Sequence, residues 1–217
     1  MGRFVDKEHG FTMYDVPKGG GTTMRLWINY KYYGQFDIQK DQAGYITQSG
    51  KSYNNLHKLG YKLEWFEKAP GEHVCVKRDP IKRFVSCFND KILKEPRVKK
   101  KPEINHYVKQ LWKHSQKGYP YDSIHPGSTK GKEVKYLKYH FAPQWRNLGK
   151  DPGYYKHVFD ISEVNSKLKP YLENKWSIEL KDLHSRKLKI KTVSNLTEES
   201  KQILREFYKE DYRLGWC

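Results

Sequence analysis

At 217 residues the chain is long enough for one domain with a substantial core, and with 36% hydrophobic but 15% aromatic residues it relies on large rings for buried apolar area. Lysine and arginine number 42 against 25 acidic residues, a net charge of +17, which implies a polyanionic partner: nucleic acid, acidic glycan, anionic lipid or a multiply charged nucleotide. The three cysteines, Cys75, Cys87 and Cys217, lack C-x-x-C spacing and suggest neither a disulfide framework nor a zinc site, and no apolar stretch has the length of a signal peptide or a membrane span, so reduced thiols and a cytoplasmic setting are expected.

In chain order, FTMYDV (Phe11–Val16) reads as the first strand, ending at Pro17. The glycines of KGGGTT (Lys18–Thr23) follow, and TTMRLWINYKYY (Thr22–Tyr33) reads as a helix beginning as they end. HVCVKRD (His73–Asp79) is a second strand, after which Asp79 suits a helix N-cap and Pro80 the first helical position. Ile81, Phe84, Val85, Phe88 and Ile92 then fall at helical spacing. From about residue 95 to 133 the composition becomes basic and rich in turn residues, which predicts a surface insertion around one helix near Ile104–Lys117. YKHVFD (Tyr155–Asp160) is a third strand, and SEVNSKLKPYL (Ser162–Leu172) a helix with Ser162 as cap. The final element, LTEESKQILREFYKEDYRLGW (Leu196–Trp216), has Thr197 as N-cap, an apolar stripe of Ile203, Leu204, Phe207 and Tyr208, and a stop at Gly215. Strands alternating with helices predict an α/β fold: a single domain over residues 1–217 with a central, mostly parallel sheet flanked by helices.

Two stretches carry chemistry. A glycine loop feeding a helix N-terminus aims backbone N–H groups at one tetrahedral anion, with Lys18 as a movable charge and Thr22 and Thr23 as further donors. A flexible turn would look the same in isolation. A nucleoside triphosphatase loop places a Ser or Thr for Mg²⁺ directly after its lysine, whereas Gly19 follows Lys18 here. In the second stretch, VKRDPIKRFVSCF (Val76–Phe88), Arg78 stands at a strand end with Lys82 and Ser86 following at steps of four. An arginine with a serine hydroxyl in reach can clamp a phosphate; Arg78 paired with Asp79 and a solvated Ser86 is the plainer alternative.

Taken together, a Pro-Lys-Gly-Thr loop after the first strand and R-D-P-x-x-R-x-x-S after a later one resemble the sulfotransferase family, in particular its carbohydrate branch. HFAPQW (His140–Trp145) is similar to that family's His-aromatic-x-Pro-Gln segment, and the final stretch to its closing helix. The resemblance runs from Tyr14 to Trp216, apart from about residues 95–133. It implies a P-loop-like architecture and 3′-phosphoadenosine 5′-phosphosulfate (PAPS) as sulfuryl donor. Lys18, Gly19, Gly20, Gly21, Thr22 and Thr23 match the 5′-phosphosulfate loop, and Arg78 and Ser86 the 3′-phosphate clamp. Lys18 is then placed to meet the charge growing on the leaving phosphate, without a metal. His57, in YNNLHKLGY, lies where some members carry a catalytic histidine and is the expected base, with His140 and Glu64 as alternatives. Arg186 and Lys187 could cover the nucleotide or grip an acidic acceptor, as could the lysines at 99 to 101. The expected acceptor is anionic or hydroxylated, a glycan in the first instance. Because the anchor of Golgi members is not seen in this sequence, a bacterial cell or a virus-infected host cell is the expected setting.

Two rival functions follow from the same residues. The charge and the 17 tyrosines suit a nucleic-acid-binding module, and the glycine loop suits a P-loop nucleotide kinase or other phosphotransferase.

Overall fold

The structure, a computed structural model, describes residues 2–34, 38–39, 46–47, 71–94, 101–116, 140–183 and 191–217. Two compact units emerge, one formed by Met1–Lys77 with Gly153–Ser185 and the other by Arg78–Pro152 with Arg186–Cys217.

The first unit is built on a sheet. Strand β1 (Gly2–Asp6) turns back through Lys7–Gly10 and pairs antiparallel with β2 (Phe11–Asp15), Asp6 standing opposite Phe11. Two-residue strands β3 (Ile38–Gln39) and β4 (Ile46–Thr47) form a separate antiparallel ladder. Strand β5 (Glu72–Lys77) runs parallel to β2, with Tyr14 opposite Cys75, and β6 (His157–Asp160) runs parallel to β5, with Lys77 opposite Asp160. The order β1-β2-β5-β6 gives the four-stranded, mostly parallel sheet of an α/β fold. FTMYDV is therefore the second strand. Its partner β1 escapes sequence reading because GRFVD carries only Phe4 and Val5 as apolar residues, too few to show an alternation.

Alternation decides what this sheet packs against. Met13, Val74, Val76 and Phe159 share one face by register, and all are buried with Met24, Trp27 and Ile28 of helix α1 (Gly21–Tyr33). After β6 the chain turns into a helical run that adds Leu168, Leu172 and Trp176 to the same core. Its cap is Asp160, not Ser162: the Asp160 carboxylate accepts from the Ser162 N–H at 2.8 Å, while Glu163 accepts from the Asp160 N–H at 2.9 Å. The reason is reciprocity, since Asp160 has the extended backbone a cap needs and Glu163 stands three residues on. Wider π-type turns over Val164–Leu168 precede the α-helical Lys169–Trp176, so Pro170 sits where a missing N–H costs little.

The second unit is helical. Helix α2 (Pro80–Cys87) starts as its sequence predicts, with Asp79 accepting from the Lys82 N–H at 2.7 Å and Pro80 in the first turn, and wider turns continue it over Phe88–Leu93. Its whole stripe, Ile81, Phe84, Val85, Phe88 and Ile92, is buried. Helix α3 (Ile104–Gln116) packs into that core through Ile104, Tyr107, Val108 and Leu111. This helix, expected within a surface insertion, is thus part of the core: four apolar residues at spacings of three and four make a buried stripe even in a lysine-rich context. A single turn, α4, spans Trp145–Leu148. The closing stretch forms two helices, α6 (Glu198–Phe207) and α7 (Lys209–Arg213), once Lys169–Trp176 is numbered α5. Thr197 caps α6 by accepting from the Ser200 N–H at 3.2 Å, and Gly215 ends the stretch with φ 81°.

Candidate active site

The chain leaves β2 at Asp15 and makes a tight turn before α1. The Gly19 N–H closes it by donating to the Val16 carbonyl at 2.9 Å. Lys18 and Gly20 both adopt left-handed backbone, with φ 68° and 87°. At Gly19 the constraint is space: a Cβ there would stand inside contact distance of Val16 Cγ2 and 3.2 Å from the carbonyls of Val16 and Val76. Helix α1 begins at Gly21 with neither a side-chain cap nor an acidic residue in its first turn. The first N–H groups of such a helix have no intrahelical partner, and its dipole favours an anion at that end. Lys18 is half-buried, Thr22 exposed and Thr23 buried.

Arg78 follows the last residue of β5 and precedes the Asp79 cap. Its main chain is held by one side chain: the Arg78 N–H donates to Gln144 Oε1 at 3.0 Å, and Gln144 Nε2 donates to the Arg78 carbonyl at 2.7 Å. Ser86 lies about two turns along α2 and is half-buried, whereas Lys82 is exposed. Between them Arg83 has no exposed surface.

Arg83 belongs to the scaffold of the His140–Trp145 segment. Its guanidinium donates to the His140 carbonyl at 3.0 Å and to the Ala142 carbonyl, and it lies 5.5 Å from the centre of the Tyr208 ring. Tyr208 in turn donates to the Phe141 carbonyl at 2.9 Å. From the other side the fully buried Asp211 accepts from the amides of Gln144 and Trp145 at 2.9 and 2.8 Å. Burial pushes the Asp211 carboxyl above its ordinary range, although those two amides and the Arg83 charge oppose it. A cation thus fixes the carbonyls of this segment and a carboxylate its amides, which satisfies groups that would be costly to bury unpaired.

Lys18–Thr23 thus belong to the first unit, and Arg78, Ser86 and His140 to the second. His140 is half-buried, and its carbonyl accepts from both Arg83 and the Cys87 thiol. His57, Glu64, Arg186 and Lys187 lie outside the described residues, as do the lysines at 99 and 100. Lys101 donates to the Ile92 carbonyl at 3.2 Å. Sequence reading gave no role of their own to Arg83, the second arginine of R-D-P-x-x-R-x-x-S, or to Gln144, the glutamine of the His-aromatic-x-Pro-Gln segment, and it did not single out Asp211. Arg83 carried a second signal besides its motif, because it falls within helix α2 amid an apolar stripe.

A model described as the sulfotransferase family matches residues 2–214. No curated protein and no solved structure matches the chain. Among the described residues no group of three or more His, Cys, Asp or Glu could hold a metal ion, and no helix is long and apolar enough to cross a membrane.

Proposed function

The chain belongs to the sulfotransferase family, and we propose that it forms one sulfotransferase domain over residues 1–217 that moves a sulfuryl group from PAPS to a hydroxyl or amine of an anionic glycan. PAPS-dependent sulfuryl transfer follows from the family; the acceptor and the residue roles are our reading. The observation that carries it is the turn before α1, where two left-handed residues and a glycine with no room for a side chain present an uncapped helix N-terminus. It supports reading the loop as P-loop-like in its use of backbone amides and as the seat of a phosphosulfate.

In this reading the first-turn amides of α1, the Thr22 and Thr23 hydroxyls and Lys18 hold the 5′-phosphosulfate. Arg78 and Ser86 take the 3′-phosphate, and Arg186 and Lys187 cover the nucleotide. The acceptor oxygen forms a bond to sulfur as the opposite bond from sulfur to the 5′-phosphate oxygen breaks. Lys18 donates to that departing oxygen, where charge develops. The acceptor proton goes to His57, with His140 and Glu64 as the other groups able to accept it. The net charge of +17 supports an acidic acceptor, and three cysteines that are all thiols favour a reducing compartment such as the cytoplasm.

The test is release of 3′-phosphoadenosine 5′-phosphate from PAPS in the presence of uronic-acid-containing or neutral glycans. Release that depends on the uronic-acid glycans is expected. Equal release with neutral glycans, or release only with small phenols, contradicts the acceptor class.

A further inference from the structure

We propose that Gln144 is the positioning residue of the nucleotide clamp: its carboxamide fixes the main chain of Arg78 and so aims the guanidinium at the nucleotide 3′-phosphate. The inference rests on the reading of Arg78 as the 3′-phosphate ligand.

Arg78 occupies an unusual place in the chain. The ladder between β5 and β6 ends at Lys77, and the helix begins at Pro80 after its Asp79 cap. A residue between two regular elements has no lattice of neighbouring peptides to hold its dihedral angles, and a long side chain amplifies any drift at its Cα. Gln144 supplies what the ladder does not. Its Oε1 takes the Arg78 N–H and its Nε2 gives a hydrogen to the Arg78 carbonyl, so one planar amide pairs with both polar groups of one residue, as an opposite strand does in a hydrogen-bonded pair. The second hydrogen of Nε2 goes to the Trp216 carbonyl at 2.8 Å. Gln144 itself has no exposed surface, and its main-chain N–H is held by Asp211.

This pattern admits few other side chains. Glutamate would set an oxygen against the carbonyls of Arg78 and Trp216, and asparagine falls one methylene short of them. Methionine matches the length and keeps the packing while removing all three bonds.

Two nucleotides, 3′-phosphoadenosine 5′-phosphate and adenosine 5′-monophosphate, isolate the 3′-phosphate by difference, with affinities measured by calorimetric titration. The parent is expected to prefer the bisphosphate. Gln144→Met should cut that preference about tenfold or more, the size of one charge-assisted hydrogen bond, while affinity for the monophosphate stays within about twofold. In an Arg78→Ala background the same change should cut the preference no further. A preference equal to the parent's, or equal weakening of both nucleotides, overturns the inference. If the parent itself shows no preference, the assignment of Arg78 fails first and the inference with it. Should Gln144→Met not fold, amide hydrogen exchange in the parent decides: the Arg78 N–H is expected to exchange as slowly as that of Val76 in β5, and exchange at the rate of exposed residues overturns the proposal.

Discussion

Gly19 and Lys18 sit side by side in the turn before α1 and do different work. Gly19 is required by packing, since any side chain meets Val16 and the Val76 carbonyl. Gly19→Ala should cost about 1–3 kcal/mol in chemical denaturation, the usual penalty of overpacking, and should weaken 3′-phosphoadenosine 5′-phosphate together with it. Lys18→Ala leaves the turn's hydrogen bond in place and removes a donor whose partner gains charge only during transfer. Turnover should fall by about 10²–10³ with nucleotide affinity changed far less; unchanged turnover removes Lys18 from the chemistry. A third residue, Asp6, governs acid stability. It is 1% exposed and accepts from the Trp176 indole at 2.7 Å, the His9 amide at 3.0 Å and His9 Nδ1 at 2.9 Å. Burial pushes its carboxyl up, but the Trp176 and His9 bonds outweigh this and hold it below the ordinary 3.8. The unfolded chain therefore takes up the proton first as pH falls. The stability that ionised Asp6 provides is complete above pH 3.8 and is lost on acidification through the lower folded value. Asp6→Asn should destabilise by about 1–3 kcal/mol near neutrality, and its difference from the parent should shrink below pH 3.8 in urea titrations. A difference that stays constant with pH contradicts this assignment.

Helix α2 shows how far local signals reach. Asp79, Pro80 and the stripe from Ile81 to Ile92 are each interpretable from neighbours within a few positions, and each stands as read. Asp79→Ala should cost about 0.5–2 kcal/mol, the ordinary worth of an N-cap, measured by thermal or urea unfolding. Where an element depends on distant partners, the sequence says less. Strand β1 exists because β2 offers it an edge, and its own five residues carry no clear period. Asp160 displaces Ser162 as cap because Glu163 answers it from three residues on, a pairing visible in the letters but read two residues late. Arg83 and Asp211 are buried charges in opposite parts of the sequence. Only the fold brings their hydrogen bonds to the single segment His140–Trp145. The glycine loop, by contrast, was legible because glycines, lysine and helix start are contiguous, whereas the hold of Gln144 on Arg78 spans 66 positions.

At the scale of the whole molecule, a charge of +17 draws many anions toward the surface, so anion binding alone distinguishes little. A nucleic-acid-binding module should bind oligonucleotides with a steep salt dependence and ignore the 3′-phosphate of a mononucleotide. A P-loop kinase should bind ATP with Mg²⁺ in preference to any bisphosphate. The decisive measurement is a thermal-shift titration of the parent protein with 3′-phosphoadenosine 5′-phosphate, ATP with Mg²⁺, and a single-stranded oligonucleotide at one fixed ionic strength. The expected result is saturable stabilisation by the bisphosphate, reaching about 2.7 kcal/mol at a hundred times its dissociation constant, with no need for Mg²⁺ and a much smaller effect of ATP. Stabilisation by ATP and Mg²⁺ or by the oligonucleotide, with none from 3′-phosphoadenosine 5′-phosphate, contradicts the PAPS site.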